Sequence, residues 1–267
     1  MRIASLGMYV QARQEVANDA LWAALAERLR ARGVADVPER LERRRAVQDV
    51  WRDPDLLFGQ ICGFPLVSNP ALGLQVLGVP VYDAPGCEGG RHRSLIIARA
   101  DDADGIVAYR GRRAAINGRD SNTGMNLFRA LIAGEAGGEP FFADVRETGA
   151  HRQSISAVIL GEADIAAIDA VTYAATLRGE PELVPALRIV GETAESWAPP
   201  FVTAAGTDAD TVAALKAALA EVIADPALAG EREALFLRGV VPGDLERYLP
   251  LRTLESAAAA AGYLVLH

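Results

Sequence analysis

Two periods of hydrophobic patterning alternate along this chain. Short apolar runs stand between stretches in which apolar residues recur every three or four positions, the spacing of a helix face. Residues 3–8 read as a strand. Leu21, Leu25 and Leu29 then form one helical stripe, with Asn18-Asp19 as its expected cap and Gly33 as its close. Residues 37–41 read as a short strand, 44–51 as a short helix, and 55–58 and 74–81 as strands. Residues 94–98 carry an apolar run of the kind that is covered on both faces of a sheet.

The alternation continues beyond Asp101. Residues 113–117 and 141–145 read as strands, and 163–168 as a buried strand ending in Asp169. Ile155, Val158 and Ile159 mark a helix, Tyr173 and Leu177 a shorter one, and residues 187–191 a last strand. Residues 199–203 read as a return crossing. Helices are then expected over 210–224, 226–237 and 254–261. Alternating strands and helices predict an α/β fold with largely parallel strands. The order predicts a discontinuous first lobe, residues 1–98 plus 201–267, with a second lobe, 99–200, inserted. The crossings are expected at Arg99-Ala100-Asp101 and near Pro199-Pro200.

Between the strand at 113–117 and the helix holding Leu127, Leu131 and Ile132 lies Asp120-Ser121-Asn122-Thr123-Gly124-Met125-Asn126. The first turn of a helix offers unpaired N–H groups and the positive end of its dipole. Ser121 and Thr123 would add hydroxyl donors, and Gly124 would let a ligand approach the backbone. The stretch suits a small oxyanion. It also suits an ordinary helix cap, since Asp, Ser, Asn and Thr are the usual cap residues.

Ligands of open α/β sheets bind beyond the carboxyl ends of strands. The polar residues that follow the predicted strands are Tyr9, Gln60, the 121–124 turn, Thr148 to His151, and Asp169. Each also has a plain structural use: Tyr9 in packing, Gln60 in a loop, His151 and Asp169 at helix starts. Arg91-His92-Arg93 reads as a solvated turn, and Cys62 as a small buried hydrophobe.

Composition narrows the classes. The 267 residues carry 27 basic and 35 acidic side chains, a net charge of −8, and no long basic run. Nucleic acid is not an expected partner. No apolar stretch is long enough for a membrane helix. Neither a GxGxxG after a strand nor a Walker A loop appears, and no cofactor is expected. His92, His151 and His267 are too scattered for a zinc site. Cys62 and Cys87 do not fix the redox compartment, and neither is expected to be needed for folding a core of this size. No secretory signal opens the chain. The protein is expected in the periplasm if a signal has been removed, and in the cytoplasm if Met1 is the native start.

The run 117–126, then Glu147-Thr148-Gly149-Ala150-His151-Arg152-Gln153-Ser154, then Gly161-Glu162-Ala163-Asp164 through Asp169, resembles the phosphate/phosphite/phosphonate substrate-binding proteins of ABC transporters. The shared features are a Ser/Thr-Gly helix start, a Gly-x-His helix start and a Gly-x-Ala-Asp strand ending in Asp. The resemblance implies a two-lobed periplasmic-binding-protein-like (type II) α/β fold with ligand clamped between lobes. It implies a monomer that serves an ABC permease, binds a small anionic ligand and performs no catalysis. By position, Ser121, Asn122, Thr123 and His151 match residues that hold the phosphonate oxygens, with Gly124 beside them as the point of close backbone approach. Asp169 matches a carboxylate that can meet a ligand amine, and Tyr9 matches a first-lobe aromatic. Gln60 opens a stretch, Gln60-Ile61-Cys62-Gly63-Phe64, that stands where the family usually has a tyrosine-bearing one, and it is a candidate only by its place after a strand. Two other classes share this architecture: cytoplasmic enzymes, such as chorismate dehydratase and the thiamine-pyrimidine enzymes, and cytoplasmic ligand sensors. No nucleophile–base pair supports the enzyme class.

Overall fold

A computed structural model describes residues 2–102 and 105–267. Met1, which the sequence reading runs into the first strand, lies outside them. The chain begins with β1 (Ile3–Ser5), α1 (Ala12–Ala31), α2 (Val47–Trp51), β2 (Leu56–Gln60), α3 (Gly63–Ser68) and β3 (Gln75–Tyr82). Next come β4 (Cys87–Glu88), β5 (Arg91–His92), β6 (Ser94–Arg99), β7 (Arg113–Ile116), α4 (Leu127–Ala136) and β8 (Asp144–Glu147). They are followed by α5 (His151–Ile159), β9 (Ile165–Asp169), α6 (Ala170–Gly179), β10 (Leu187–Glu192), β11 (Ser196–Trp197) and β12 (Phe201–Thr203). The chain closes with α7 (Ala209–Ala224), α8 (Ala229–Ala234), β13 (Leu237–Val241) and α9 (Pro250–Ala260).

Contacts divide the chain into two units. The first holds 1–83, 88–91 and 197–248; the second holds 84–87, 92–196 and 249–267. The sequence reading assigned 84–98 and 249–267 to the first lobe. The contacts assign β6 and α9 to the second unit instead. Strand β6 lies inside the second sheet, between β10 and β9, where its apolar residues are covered on both faces. Helix α9 packs on α4.

The first unit is built on a sheet of order β1-β2-β12-β3-β13. Strand β1 is parallel to β2, whereas β12 runs antiparallel to both β2 and β3. Leu21, Leu25 and Leu29 of α1 are buried as the stripe predicts, each worth about 1.5–3 kcal/mol of transfer free energy. Phe58 of β2 stacks with Trp22 at 6.0 Å and with Phe201 at 5.2 Å. Helix α1 starts at Ala12, not at Asn18-Asp19, because Gln11 and Gln14 form a capping box upstream. Residues 37–41 form no strand; the chain there is irregular. The helix expected over 226–237 ends at Ala234, and β13 follows, antiparallel to β3.

The second unit is built on a sheet of order β10-β6-β9-β7-β8. Strands β7, β8 and β9 are parallel, so β7 and β9 end on the same edge. Strand β6 is antiparallel to β9, with Ser94 opposite Asp169. That edge therefore gathers the start of β6 and the ends of β7 and β9. Helix α5 covers one face through Ile155 and Val158, which join Leu95, Ile97, Ala166 and Ile168 in the core. Cys62 and Cys87 are both free thiols.

Candidate functional site

The polar edge of the second unit brings together residues far apart in sequence. After β7 the chain turns at Asn117-Gly118 and enters a five-residue π-helical turn, Asn122–Asn126, which continues as α4. Ser121 caps this turn: its Oγ accepts from the Gly124 N–H at 3.1 Å. The Ser121 hydroxyl proton is left to donate elsewhere. Every residue from Ser121 to Arg129 is buried. The wider π turn keeps these side chains packed beneath the helix start, where solvated cap residues would otherwise be expected.

Thr123 is the meeting point. Its backbone carbonyl accepts from Ser94 Oγ at 2.6 Å. Its Oγ1 lies 3.1 Å from Nε2 of His151, the first residue of α5. The edge thus joins two helix starts. Gly124 is required by space. A Cβ there would stand 1.8 Å from Asn117 Oδ1 and 3.0 Å from His151 Cε1. Asn117 Oδ1 is itself buried without a hydrogen-bond partner.

Asn122 is placed differently. Its amide donates to Ser196 Oγ at 2.9 Å, and its Oδ1 accepts from Asn126 Nδ2 at 3.4 Å. Asn126 in turn accepts from Arg129 Nη2 at 2.8 Å and donates to the Leu251 carbonyl at 3.4 Å. Arg129 Nη1 holds the Leu264 carbonyl at 2.7 Å. This ladder fastens the turn to the C-terminal segment from below. Asn122, Asn126 and Arg129 are supports of the turn, and sequence reasoning missed Arg129 because a helical Arg is normally solvated.

Asp169 ends β9 and caps α6, its Oδ1 accepting from the N–H groups of Val171 and Thr172 at 2.9 and 3.1 Å. Its Oδ2 lies 3.0 Å from His92 Nδ1, without the alignment of a hydrogen bond. Burial alone would raise the Asp169 pKa; His92, His151 and the Thr172 N–H outweigh it and hold the carboxyl below its usual range. His92 is 1% exposed, which corrects its reading as part of a solvated turn. The nearby Cys87 thiol is pushed up to about 12, by burial first and by the Asp169 charge second. A thiol so shifted is inert at neutral pH.

His151 itself titrates low. Burial is the main cause; Asp169 and the Ala167 carbonyl oppose it, and His92 adds to it. Its Nδ1 is buried without a hydrogen-bond partner. Asp120, a concern for any bound anion, is exposed and lies by Gly118 and Glu147.

The other sequence candidates lie in the first unit. Gln60 Nε2 donates to Tyr82 Oη at 2.8 Å and to the Pro199 carbonyl at 2.9 Å. Tyr9 meets Tyr82 edge-on at 5.3 Å, and its carbonyl accepts from Asn18 Nδ2. These side chains line a cavity of about 30 Å³, room for one or two waters. Among the described residues no cluster of His, Cys, Asp or Glu could hold a metal, and no helix is long and apolar enough to cross a membrane.

Residues 55–248 match the family of phosphonate periplasmic substrate-binding proteins of ABC transporters, and the chain belongs to that family. No curated protein matches the sequence. Similar solved structures include the binding component of an ABC phosphonate transporter from Pseudomonas aeruginosa, 14% identical, with TM-score 0.78 over 97% of this chain and 87% of that one. PhnD1 from Prochlorococcus marinus, in complex with methylphosphonate, is 14% identical, with TM-score 0.75 over 97% and 98%. XAC2383 from Xanthomonas citri, bound to ATP, is 17% identical, with TM-score 0.69 over 98% of both chains. The fold is thus the α/β fold of periplasmic binding proteins, as the sequence implied. The family is one of transport binding proteins, not of enzymes.

Proposed function

We propose that this protein captures a small phosphonate-like oxyanion in the periplasm and hands it to an ABC permease. We place the anion on the edge of the second unit, at Ser121, Thr123, Gly124 and His151. The observation that carries this reading is the 3.1 Å approach of Thr123 Oγ1 to His151 Nε2, which joins the starts of α4 and α5. Two helix starts lend N–H groups and partial positive charge to the same place. The Ser121 hydroxyl adds a donor. Asn122 supports the turn, and Asp169 is engaged as a cap, so a ligand amine is not part of the proposal. Tyr9 and Gln60 are kept as first-unit candidates.

Calorimetry with methylphosphonate, phosphite, phosphate and ATP tests the reading. One of the small phosphorus oxyanions is expected to bind once per chain and to be recovered unchanged. Hydrogen bonds to a charged group are worth roughly 1.5–3 kcal/mol, so Ser121→Ala and Thr123→Ala should each weaken binding about ten-fold or more. Unaltered affinity in both variants would reduce the turn to an ordinary helix cap.

A further inference from the structure

We propose that a cavity at the edge of the first unit's sheet receives an uncharged, methyl-sized substituent of the ligand, and that its wall limits the substituent's size. The inference rests on the reading of the protein as an oxyanion-binding protein and names the class of oxyanion, one with a short alkyl group on phosphorus.

Topology puts the cavity where a ligand is expected. Strand β1 is parallel to β2, and β12 is antiparallel to both β2 and β3. The ends of β1, β2 and β3 therefore share one edge of the sheet. Ligands of open α/β sheets bind beyond such an edge. Gln60 ends β2, Tyr82 ends β3, and Tyr9 follows β1. These three side chains line the cavity of about 30 Å³. Leu21, Phe201 and Leu235 supply apolar wall. Phe201 pairs with Gln60 across the sheet, which fixes that wall at the same edge.

The chemistry of the wall is unsuited to charge. Gln60 Nε2 commits its two N–H bonds to Tyr82 Oη and to the Pro199 carbonyl, at 2.8 and 2.9 Å. Asn18, also on the wall, turns its amide N–H to the Tyr9 carbonyl at 2.8 Å. Among the described residues that line the cavity, none is Asp, Glu, Lys, Arg or His. An ionised group buried there would lose its water and gain no opposite charge. An alkyl group gains by leaving water. One water occupies about 30 Å³ of the liquid, and a methyl group has similar bulk. A further carbon would have to push Leu21 or Leu235 out of a packed wall, which is unfavourable.

Calorimetry on the wild-type protein with methyl-, ethyl-, propyl- and aminomethylphosphonate tests the proposal. Methylphosphonate should bind tightest, and ethylphosphonate about ten-fold more weakly. Aminomethylphosphonate has the heavy-atom count of the ethyl compound but carries an ammonium, and should be weaker again by about ten-fold or more. Leu235→Ala enlarges the cavity and should raise the ratio of ethyl to methyl affinity about ten-fold. A variant that merely loosened the fold would weaken both ligands alike and leave that ratio unchanged; an unchanged ratio reduces the cavity to a packing gap and overturns the proposal. Affinities of the three alkyl compounds within about two-fold of one another, or tightest binding of the ammonium compound, overturn it as well. Should Leu235→Ala fail to fold, the wild-type series decides. Binding that ignores alkyl length sinks this proposal alone, whereas a protein that binds none of the four sinks the oxyanion reading and this proposal with it.

Discussion

Gly124 is the residue where space alone dictates the sequence. Its backbone needs no left-handed conformation, yet a single added carbon would collide with Asn117 Oδ1 and press on His151. Gly124→Ala is expected to cost about 1–3 kcal/mol of stability, the usual range for overpacking. It should also weaken oxyanion binding more than Ser121→Ala does, because it separates Thr123 from His151. Thermal melts and calorimetry on the same variant check both; wild-type affinity would show that the 3.1 Å approach is not needed. Asp169 makes a second prediction. Its folded pKa is held below the unfolded value, so its charge contributes stability above that value, and the contribution is lost as pH falls through the folded pKa. Asp169→Asn keeps the cap acceptor but removes the charge. Its deficit in urea melts should be largest near neutral pH and should close in acid; a deficit constant with pH would deny the charge a role. The 121–124 turn, His151 and Asp169 were visible in sequence because each follows a strand and opens a helix. Asn117 Oδ1 and His92 were not, since nothing local distinguishes a buried polar group from a solvated one.

At the scale of elements, the strand-helix alternation was readable but the assignment of two pieces was not. The apolar run of β6 announces burial without saying in which sheet, and only its pairing with β9 and β10 decides. The helix expected over 254–261 proves to be α9, which packs on α4. The reason is the ladder through Asn126 and Arg129, which ties the 121–126 turn to carbonyls of Leu251 and Leu264. Arg129→Leu would fill a similar volume while leaving the Leu264 carbonyl and Asn126 Oδ1 without their donor. Each buried acceptor so stranded costs about 1–3 kcal/mol. A loss of roughly 2–6 kcal/mol in denaturant melts is expected from the pair of them. Amide exchange should rise in both the 121–126 turn and α9, although they are far apart in sequence. Faster exchange in α4 alone would mean that the ladder does not couple them.

For the whole molecule, the tension lies between a net charge of −8 and an anionic ligand. The net charge gives such a protein no overall attraction for an anion, which puts the weight of capture on short-range donors. The donors proposed at the second unit's edge are backbone N–H groups and a serine hydroxyl, not surface cations. Arg129, beneath the turn, is engaged with carbonyls and lies 4.0 Å from Glu255. Salt shortens the reach of surface charge to about 10 Å at 0.1 M. It should therefore relieve the repulsion that an approaching anion feels and leave the close contacts nearly unchanged. The association rate of methylphosphonate, followed by tryptophan fluorescence in stopped flow, is expected to rise modestly between about 10 mM and 0.3 M inert salt. Dissociation should barely move, because the interactions that hold the anion are buried and poorly screened. A site steered by exposed arginines would give the opposite trend, with association slowing steeply as salt is added. That result would place a cation in the capture step and displace the neutral-donor account of this fold's anion seat.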